Sequence, residues 1–182
     1  MYKFGKSFVA LATLFLVAML LIALVAADNS AVQSQTKTQV EGVWKLVEVV
    51  TPPKTPAEKA TSITDPQPGM IIFTKGHYSG IAVRARQPRA AVAPAKDPAN
   101  LTDAEKIARY EQWSPFMANS GTYEVKGTTL QMHPIVAKSV EVMTSGTPIT
   151  WELKLEAPNT LWLIPPADRA TTDARLKFTR LE

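Results

Sequence analysis

The fold is decided near the start of the chain by the stretch Val40-Glu41-Gly42-Val43-Trp44-Lys45-Leu46-Val47-Glu48-Val49-Val50. Gly42 allows a tight turn where a side chain would clash. Two residues later, Trp44 supplies a large apolar body and one N–H group that needs a partner when buried. Apolar and polar residues then alternate imperfectly, with Trp44 and Leu46 on one face. The stretch therefore predicts the first β-strand of a domain that begins at about residue 40.

The composition limits the class of protein. The chain has 182 residues, of which 46% are hydrophobic, and this indicates one ordinary globular domain. The formal charge of +4 falls to +2 without Lys3 and Lys6, so the charge does not indicate a nucleic-acid partner. The absence of cysteine excludes disulfides, thiolate catalysis and cysteine-ligated metal sites.

Residues 1–27 have the pattern of a signal peptide. Lys3 and Lys6 give a positively charged start, a long apolar run follows, and Val25-Ala26-Ala27 offers small residues to a signal peptidase. The apolar run would also be long enough for an uncleaved membrane anchor. The small residues, and the lack of positive charge directly after them, favour cleavage.

The rest of the chain is expected to form a linker and one domain. Residues 28–39 are polar and unpatterned, which is typical of a flexible linker. Residues 40–182 are expected to fold as a single domain that is secreted or periplasmic. Contact with a membrane is expected only through the N-terminal segment, if that segment stays uncleaved.

Short β patterns separated by turn residues fill the expected domain. The predicted strands are 44–50, 69–74, 77–86, 121–125, 128–133, 149–156, 160–164 and 174–181, and residues 136–142 continue in strand style. Two proline-rich stretches, 51–68 and 87–100, are predicted loops because proline cannot donate to a β-ladder. Thr102 and Glu105 match a capping box for a helix over 103–112.

Eight short strands, joined mostly by hairpins, predict an all-β protein. The expected architecture is an eight-stranded antiparallel β-barrel with one short inserted helix. A two-sheet sandwich is the alternative, because periodicity alone does not distinguish the two. The aromatic end of the helix, Tyr110, Trp113 and Phe116, is expected to pack on the barrel. With Met117, these residues could instead form a lid over its opening.

Three motifs together resemble the lipocalin-like domain family of small exported or stand-alone barrels. They are Gly42-x-Trp44-Lys-Leu46, Pro68-Gly69-Met-Ile-Ile-Phe-Thr-Lys-Gly76-His-Tyr78-Ser79, and Gly121-Thr-Tyr-Glu-Val125-Lys-Gly127 followed by Met132-His133. The resemblance spans roughly residues 40–182. It implies a calycin-type barrel whose cavity takes a small apolar or amphipathic ligand. The chain departs from the family in its long proline-rich segments and in lacking the lipocalin disulfide.

The resemblance also implies how the barrel is closed. In lipocalin-type barrels, a basic side chain near the last strand crosses the tryptophan of the first strand. Trp44 and Arg180 match those places, Gly42 precedes the tryptophan, and Arg175 is the alternative arginine. A guanidinium over an indole contributes about 0.5–2 kcal/mol, and the role is structural.

The candidate ligand-binding residues are Tyr78, Arg84, Tyr123, His133 and Trp151. Arg84 belongs to a basic cluster near one rim of the barrel, which either serves solubility or meets an anionic head group such as a fatty-acid carboxylate. The two histidines, His77 and His133, lack zinc-type spacing, so neither a metal nor another cofactor is expected.

Three functions follow as hypotheses, in order of preference. The first is an exported barrel that binds a small hydrophobic or amphipathic ligand. The second is an isomerase or cyclase acting on an apolar substrate, with His133 and Tyr123 or Glu124 in proton transfer. The third is a structural envelope module whose loops bind another protein. No catalytic residue is assigned, and the ligand and the oligomeric state stay open.

Overall fold

The computed structural model describes residues 39–55, 57–156 and 158–182. The predicted signal peptide, residues 1–27, and the predicted linker up to residue 38 lie outside the described residues. The residues from Val40 to Glu182 form one compact unit. In the described ranges, no helix combines the length and the apolarity needed to span a membrane.

The described residues form one antiparallel sheet that closes on itself. Its strands are β1 (Gly42–Thr51), β2 (Thr61–Ile63), β3 (Gly69–Phe73), β4 (His77–Val83), β5 (Phe116–Lys126), β6 (Thr129–Ala137), β7 (Ile149–Glu156), β8 (Thr160–Ile164) and β9 (Arg175–Arg180). The order is β2-β1-β3-β4-β5-β6-β7-β8-β9, and β1 also pairs with β9. That pairing closes eight strands, while β2 adds to the end of β1. The predicted eight-stranded, lipocalin-like all-β barrel is confirmed.

The closing pair explains the imperfect alternation of the first strand. Trp44 lies opposite Arg180, and Leu46 lies opposite Phe178. The register then shifts between Leu46 and Glu48, so that Val49 lies opposite Leu176. Such a bulge moves the following side chains to the other face of a strand. Trp44, Leu46 and Val49 therefore all reach the interior, although they do not keep a strict period of two.

Two short helices lie wholly within the described ranges. Helix α1 (Asp103–Trp113) begins with the predicted capping box, in which Thr102 and Glu105 each bond to the other's backbone N–H. Residues 136–142 were expected to continue in strand style; β6 includes residues 136 and 137, but helix α2 (Val140–Thr144) takes the place of the strand from residue 140, where the prediction is wrong. The reason is pairing: β6 pairs with β7 over Thr129–Met132, so its later residues have no partner strand on that side.

Strands lie at two further places where the sequence predicted none. Strand β2 lies inside the proline-rich stretch 51–68 that was predicted to be a loop, and it pairs with Val49 to Thr51 of β1. Strand β5 begins at Phe116, five residues before the predicted start, and pairs with the whole of β4. In both places a neighbouring strand supplies the hydrogen-bond partners, and the local sequence alone does not predict this pairing.

Candidate functional site

One end of the barrel, here called the closed end, is filled with side chains. Trp44 and Leu161 are completely buried, and Phe73 is 1% exposed. The indole N–H of Trp44 donates to the carbonyl oxygen of Val40 at 2.8 Å, which satisfies its one polar atom. Val40 is itself fully buried. This end of the barrel therefore has no room for a ligand.

Arg180 completes the closed end. Its guanidinium carbon lies 4.1 Å from the centre of the Trp44 ring. The same side chain donates to the carbonyl oxygens of Glu41 at 2.6 Å and of Pro158 at 2.9 Å. Gly42 has a φ of +138°, and a side chain there would overlap Arg180. The alternative arginine, Arg175, lies at the other end of β9, opposite Val50.

Two tyrosines lie in the filled part of the interior. Tyr123 is 2% exposed, and its hydroxyl donates to the carbonyl oxygen of Thr74 at 2.9 Å. Tyr78 is 3% exposed, and its hydroxyl has no hydrogen-bond partner among the described residues. Burial raises the pKa of each to about 12, with a further contribution from Glu41 at Tyr123. Both phenols are therefore neutral at physiological pH and unsuited to act as bases.

The opposite end, here called the mouth, holds a cavity of about 520 Å³. Its apolar wall comes from strands β1, β5, β7 and β9, and consists of Val49, Met117, Ile149, Trp151 and Leu176. These side chains are only partly buried, in contrast to those of the closed end. The mouth cavity thus offers preformed apolar surface to a small molecule, as ligand pockets usually do.

The rim of the mouth cavity is basic. Arg84, Arg86 and Arg169 line it together with one carboxylate, Asp173, so the charged side chains of the lining sum to +2. Arg84 and Arg86 are exposed, because they follow the end of β4. Guanidinium groups at the edge of an apolar cavity are suited to bind a carboxylate or phosphate.

Arg169 is the most constrained of the three arginines. Its Nη1 atom donates to the Asp173 carboxylate at 2.9 Å, and its Nη2 atom donates to the carbonyl oxygen of Thr150. Its guanidinium carbon lies 5.8 Å from the centre of the Trp151 ring. The connection between β8 and β9 is thereby held against the start of β7, which fixes one side of the mouth.

A second cavity of about 760 Å³, here called the side groove, adjoins the mouth cavity. Both are lined by Arg84, Met117 and Ile149. The far side of the groove is formed by residues of both helices, including Tyr110 and Val142. Asn119 also lines it, and its buried Oδ1 atom has no hydrogen-bond partner among the described residues. This atom could accept a hydrogen bond from a ligand.

The predicted ligand-binding residues lie in three places. Arg84 and Trp151 both line the mouth cavity. Tyr78 and Tyr123 are buried in the filled interior. His133 follows the inward-facing Met132 on β6, so its side chain projects on the other face of the strand, where its Nε2 atom is buried without a partner among the described residues. The structure thus brings two of the five together.

Other residues of the mouth were not found from the sequence. Leu176 and Ile149 looked like ordinary core positions, and Met117 was expected only as part of a lid over the mouth or of the core. Arg169 lies in an irregular loop, where no spacing relates it to Trp151. Arg86, by contrast, belongs to the basic cluster that the sequence indicated around Arg84.

The aromatic end of α1 does not pack on the barrel as expected. Tyr110 is 72% exposed and Trp113 is 55% exposed, and the helix has no buried residue. Phe116 is partly buried and contacts Trp113 edge to face, with ring centres 5.4 Å apart. The expected core packing is therefore wrong for the two residues on the helix.

Comparisons with known proteins do not assign this chain to a family. A scan against protein-family models finds no matching family, and a search of curated proteins finds no matching sequence. Within the described ranges, no group of three or more histidine, aspartate or glutamate residues is placed to hold a metal ion. The candidate site is thus defined by the geometry of the mouth.

Proposed function

We propose that this protein is an exported, lipocalin-like barrel that binds a small amphipathic molecule in the mouth cavity. The ligand has an apolar chain and an anionic head group, as a fatty acid has. The observation that supports this most is one half-open cavity of about 520 Å³ with an apolar wall and three arginines at its rim. Export is supported by the signal-like pattern of residues 1–27.

The apolar wall supports binding of the chain. Contact with Ile149, Trp151 and Leu176 removes apolar surface of both partners from water, at about 25 cal/mol per Å². Arg169 and Thr150 hold this wall in place before a ligand arrives, which lowers the entropic cost of binding.

The rim supports recognition of the head group. A charge-assisted hydrogen bond from a guanidinium contributes about 1.5–3 kcal/mol. Arg84 and Arg86 are exposed, so a head group there keeps part of its hydration. Asp173 works against an anion, but it is already paired with Arg169.

The other two hypotheses receive less support. An enzyme would need tyrosine, histidine or glutamate side chains that converge inside the cavity. Tyr78 and Tyr123 are buried below it, and His133 projects from the other face of its strand. A purely structural module would have a filled barrel, and the mouth is not filled.

Calorimetric titration of the protein with dodecanoate and with dodecanol tests this proposal. We expect dodecanoate to bind more tightly, and Arg84→Gln to weaken dodecanoate by about tenfold while leaving dodecanol nearly unchanged. Trp151→Ala should weaken both ligands, because it removes apolar wall. Lys126→Gln is the matched control, since it removes an exposed cation at the closed end.

Two results would overturn the proposal. One is the absence of binding for both compounds, together with no lipid recovered by extraction of the natively purified protein. The other is an equal loss of affinity in Arg84→Gln and Lys126→Gln, because the positive charge would then act without any defined site.

A further inference from the structure

Helix α1 leaves its apolar side uncovered. Ile107, Tyr110 and Trp113 follow one another at spacings of three residues, so they form a stripe along one side of the helix. They are 58%, 72% and 55% exposed. An amphipathic helix normally buries such a stripe against the core of its own domain. Here the described chain supplies no cover for it.

The stripe lies beside the mouth. Tyr110 lines the side groove, whose lining includes Arg84 of the mouth cavity and Val142 of α2. Two further exposed apolar residues, Val136 and Val140, lie at the end of β6 and the start of α2. The ammonium group of Lys138 bonds to the carbonyl oxygens of Trp113 and Ser114, which ties this region to the end of α1.

Cations accompany the aromatic residues of the stripe. The guanidinium carbon of Arg89 lies 5.9 Å from the centre of the Trp113 ring and 5.4 Å from that of Phe116. Arg84 and Arg86 precede it in the same connection. Of the acidic residues nearby, Asp103 pairs with Lys106 and Glu105 bonds to Thr102, while Glu111 lines the side groove. The surface around Trp113 is therefore basic at its edge.

We infer that this surface docks on a membrane that contains anionic lipids. Tryptophan and tyrosine favour the boundary between head groups and acyl chains, because each ring combines an apolar body with one polar group. Arginines at the edge of such a surface are attracted to anionic lipids, by about 1 kcal/mol each. The cations beside Trp113 favour a lipid surface over a purely apolar protein partner.

Because the stripe lies beside the mouth, docking would bring the mouth cavity close to the membrane. The choice of a lipid surface rests in part on the proposed function, since an amphipathic ligand dissolves mainly in membranes. A barrel that lies with its mouth against the bilayer can exchange such a ligand without passing it through water. Docking itself does not require ligand, so the two proposals can fail separately.

Hydrogen–deuterium exchange on the full chain measures which segments a docked membrane protects. Vesicles of phosphatidylcholine alone are compared with an equal mixture of phosphatidylcholine and phosphatidylglycerol. We expect the mixed vesicles to slow exchange in α1 by about fivefold or more, the neutral vesicles to have little effect, and high salt to reverse the protection. Because the readout is confined to α1, binding of the N-terminal segment does not interfere.

Substitutions then assign the effect to the stripe. The double variant Ile107→Ser with Trp113→Ser should lose most of the protection, while dodecanoate binding stays unchanged because neither residue lines the mouth cavity. Leu181→Ser is the matched control: Leu181 is 55% exposed, like Trp113, but follows β9 at the closed end. It should leave the protection intact.

Several outcomes would overturn the inference. They are no protection of α1 with either vesicle, equal protection with both, or an equal loss in Leu181→Ser. Sedimentation of the protein without lipid adds one more. If α1 is protected by self-association and the double variant abolishes it, a second copy of the chain covers the stripe instead of a membrane.

Discussion

The two ends of the barrel are built from the same strands, but they differ in the connections between those strands and in how fully their side chains are buried. At the closed end, β3 and β4 are joined by residues 74–76, and β5 and β6 by residues 127–128, with glycines at positive φ in both turns. At the mouth, the connections over 84–115 and 138–148 hold both helices. Trp44 is completely buried, whereas Trp151 is only partly buried. One end thus supplies stability, which leaves the other free to remain open for binding.

The largest difference is expected between the two interior tryptophans. Trp44→Ala should lower the free energy of unfolding by about 3–5 kcal/mol, because it leaves a cavity in a closely packed region. Trp151→Ala should cost about 1–2 kcal/mol, since part of the side chain already contacts water. Urea unfolding followed by far-ultraviolet circular dichroism measures both. Equal losses would show that the mouth is packed as tightly as the closed end.

The next largest difference concerns two arginines that lie over indoles. Arg180→Met should cost about 2–3 kcal/mol, because it removes the contact with Trp44 and the hydrogen bonds to the backbone carbonyls of Glu41, Pro158 and Glu182. Arg169→Met should cost only about 1 kcal/mol, since its ion pair with Asp173 is partly exposed. The same urea titration compares them. A greater loss in Arg169→Met would place the main closure of the barrel at the mouth.

Alkaline pH should weaken the filled interior. Burial raises the pKa of Tyr78 and of Tyr123 from 10.0 to about 12 in the folded barrel. Above pH 10 the unfolded chain releases these protons while the folded barrel retains them, so unfolding becomes more favourable as the pH rises. The stabilisation is complete below pH 10 and lost as the pH passes 12, on the order of 2 kcal/mol for each tyrosine.

Tyr78→Phe tests this dependence with little structural change, because the Tyr78 hydroxyl has no hydrogen-bond partner among the described residues. The variant should be at least as stable as the wild type in urea below pH 10, because it removes a buried hydroxyl without a partner in the described ranges, and its advantage should grow at a pH of about 11. Tyr123→Phe is a useful comparison, since it also loses the bond to Thr74. If Tyr78→Phe kept the full pH dependence, other groups would be responsible for it.

The smallest effect is expected at the mouth, in the cap of α1. Thr102→Ala removes the capping box and should destabilise the helix by about 1 kcal/mol. Because α1 has no buried residue, global unfolding in urea should hardly change. Hydrogen exchange should become faster over 103–113 and stay unchanged at the closed end. A matching fall in global stability would mean that α1 is part of the cooperative core.

Much of the barrel could be predicted because its signals are local. The alternation of Ile149, Trp151, Leu153 and Leu155 marks a half-buried strand wherever it lies. Thr102 and Glu105 lie within one stretch of four residues, and together they predict the start of a helix. Helix α2 and strand β2 were missed because they depend on whether a neighbouring strand is available, and a single segment does not carry that information.

Only part of the candidate site could be predicted from the sequence, and the reason is related. Arg84 and Trp151 were chosen for their chemical type, and the fold brings them to one cavity. Arg169, Met117 and Leu176 reach the same place from distant parts of the chain. Tyr78 and His133 had suitable chemistry, but their depth and the face of the strand on which they lie exclude them from the mouth.

Residue patterns were therefore enough to specify an all-β chain, most of its strands and the start of α1, because these depend on neighbours within a few positions. Only the closed barrel decided that Arg180 and not Arg175 covers Trp44, that one end is filled and that the other stays open. The filling of a barrel depends on the summed volume of side chains from all eight strands, and the bulge in β1 sets which side chains of that strand point inward. The total volume of the inward-pointing side chains is known only once the strands are placed in three dimensions.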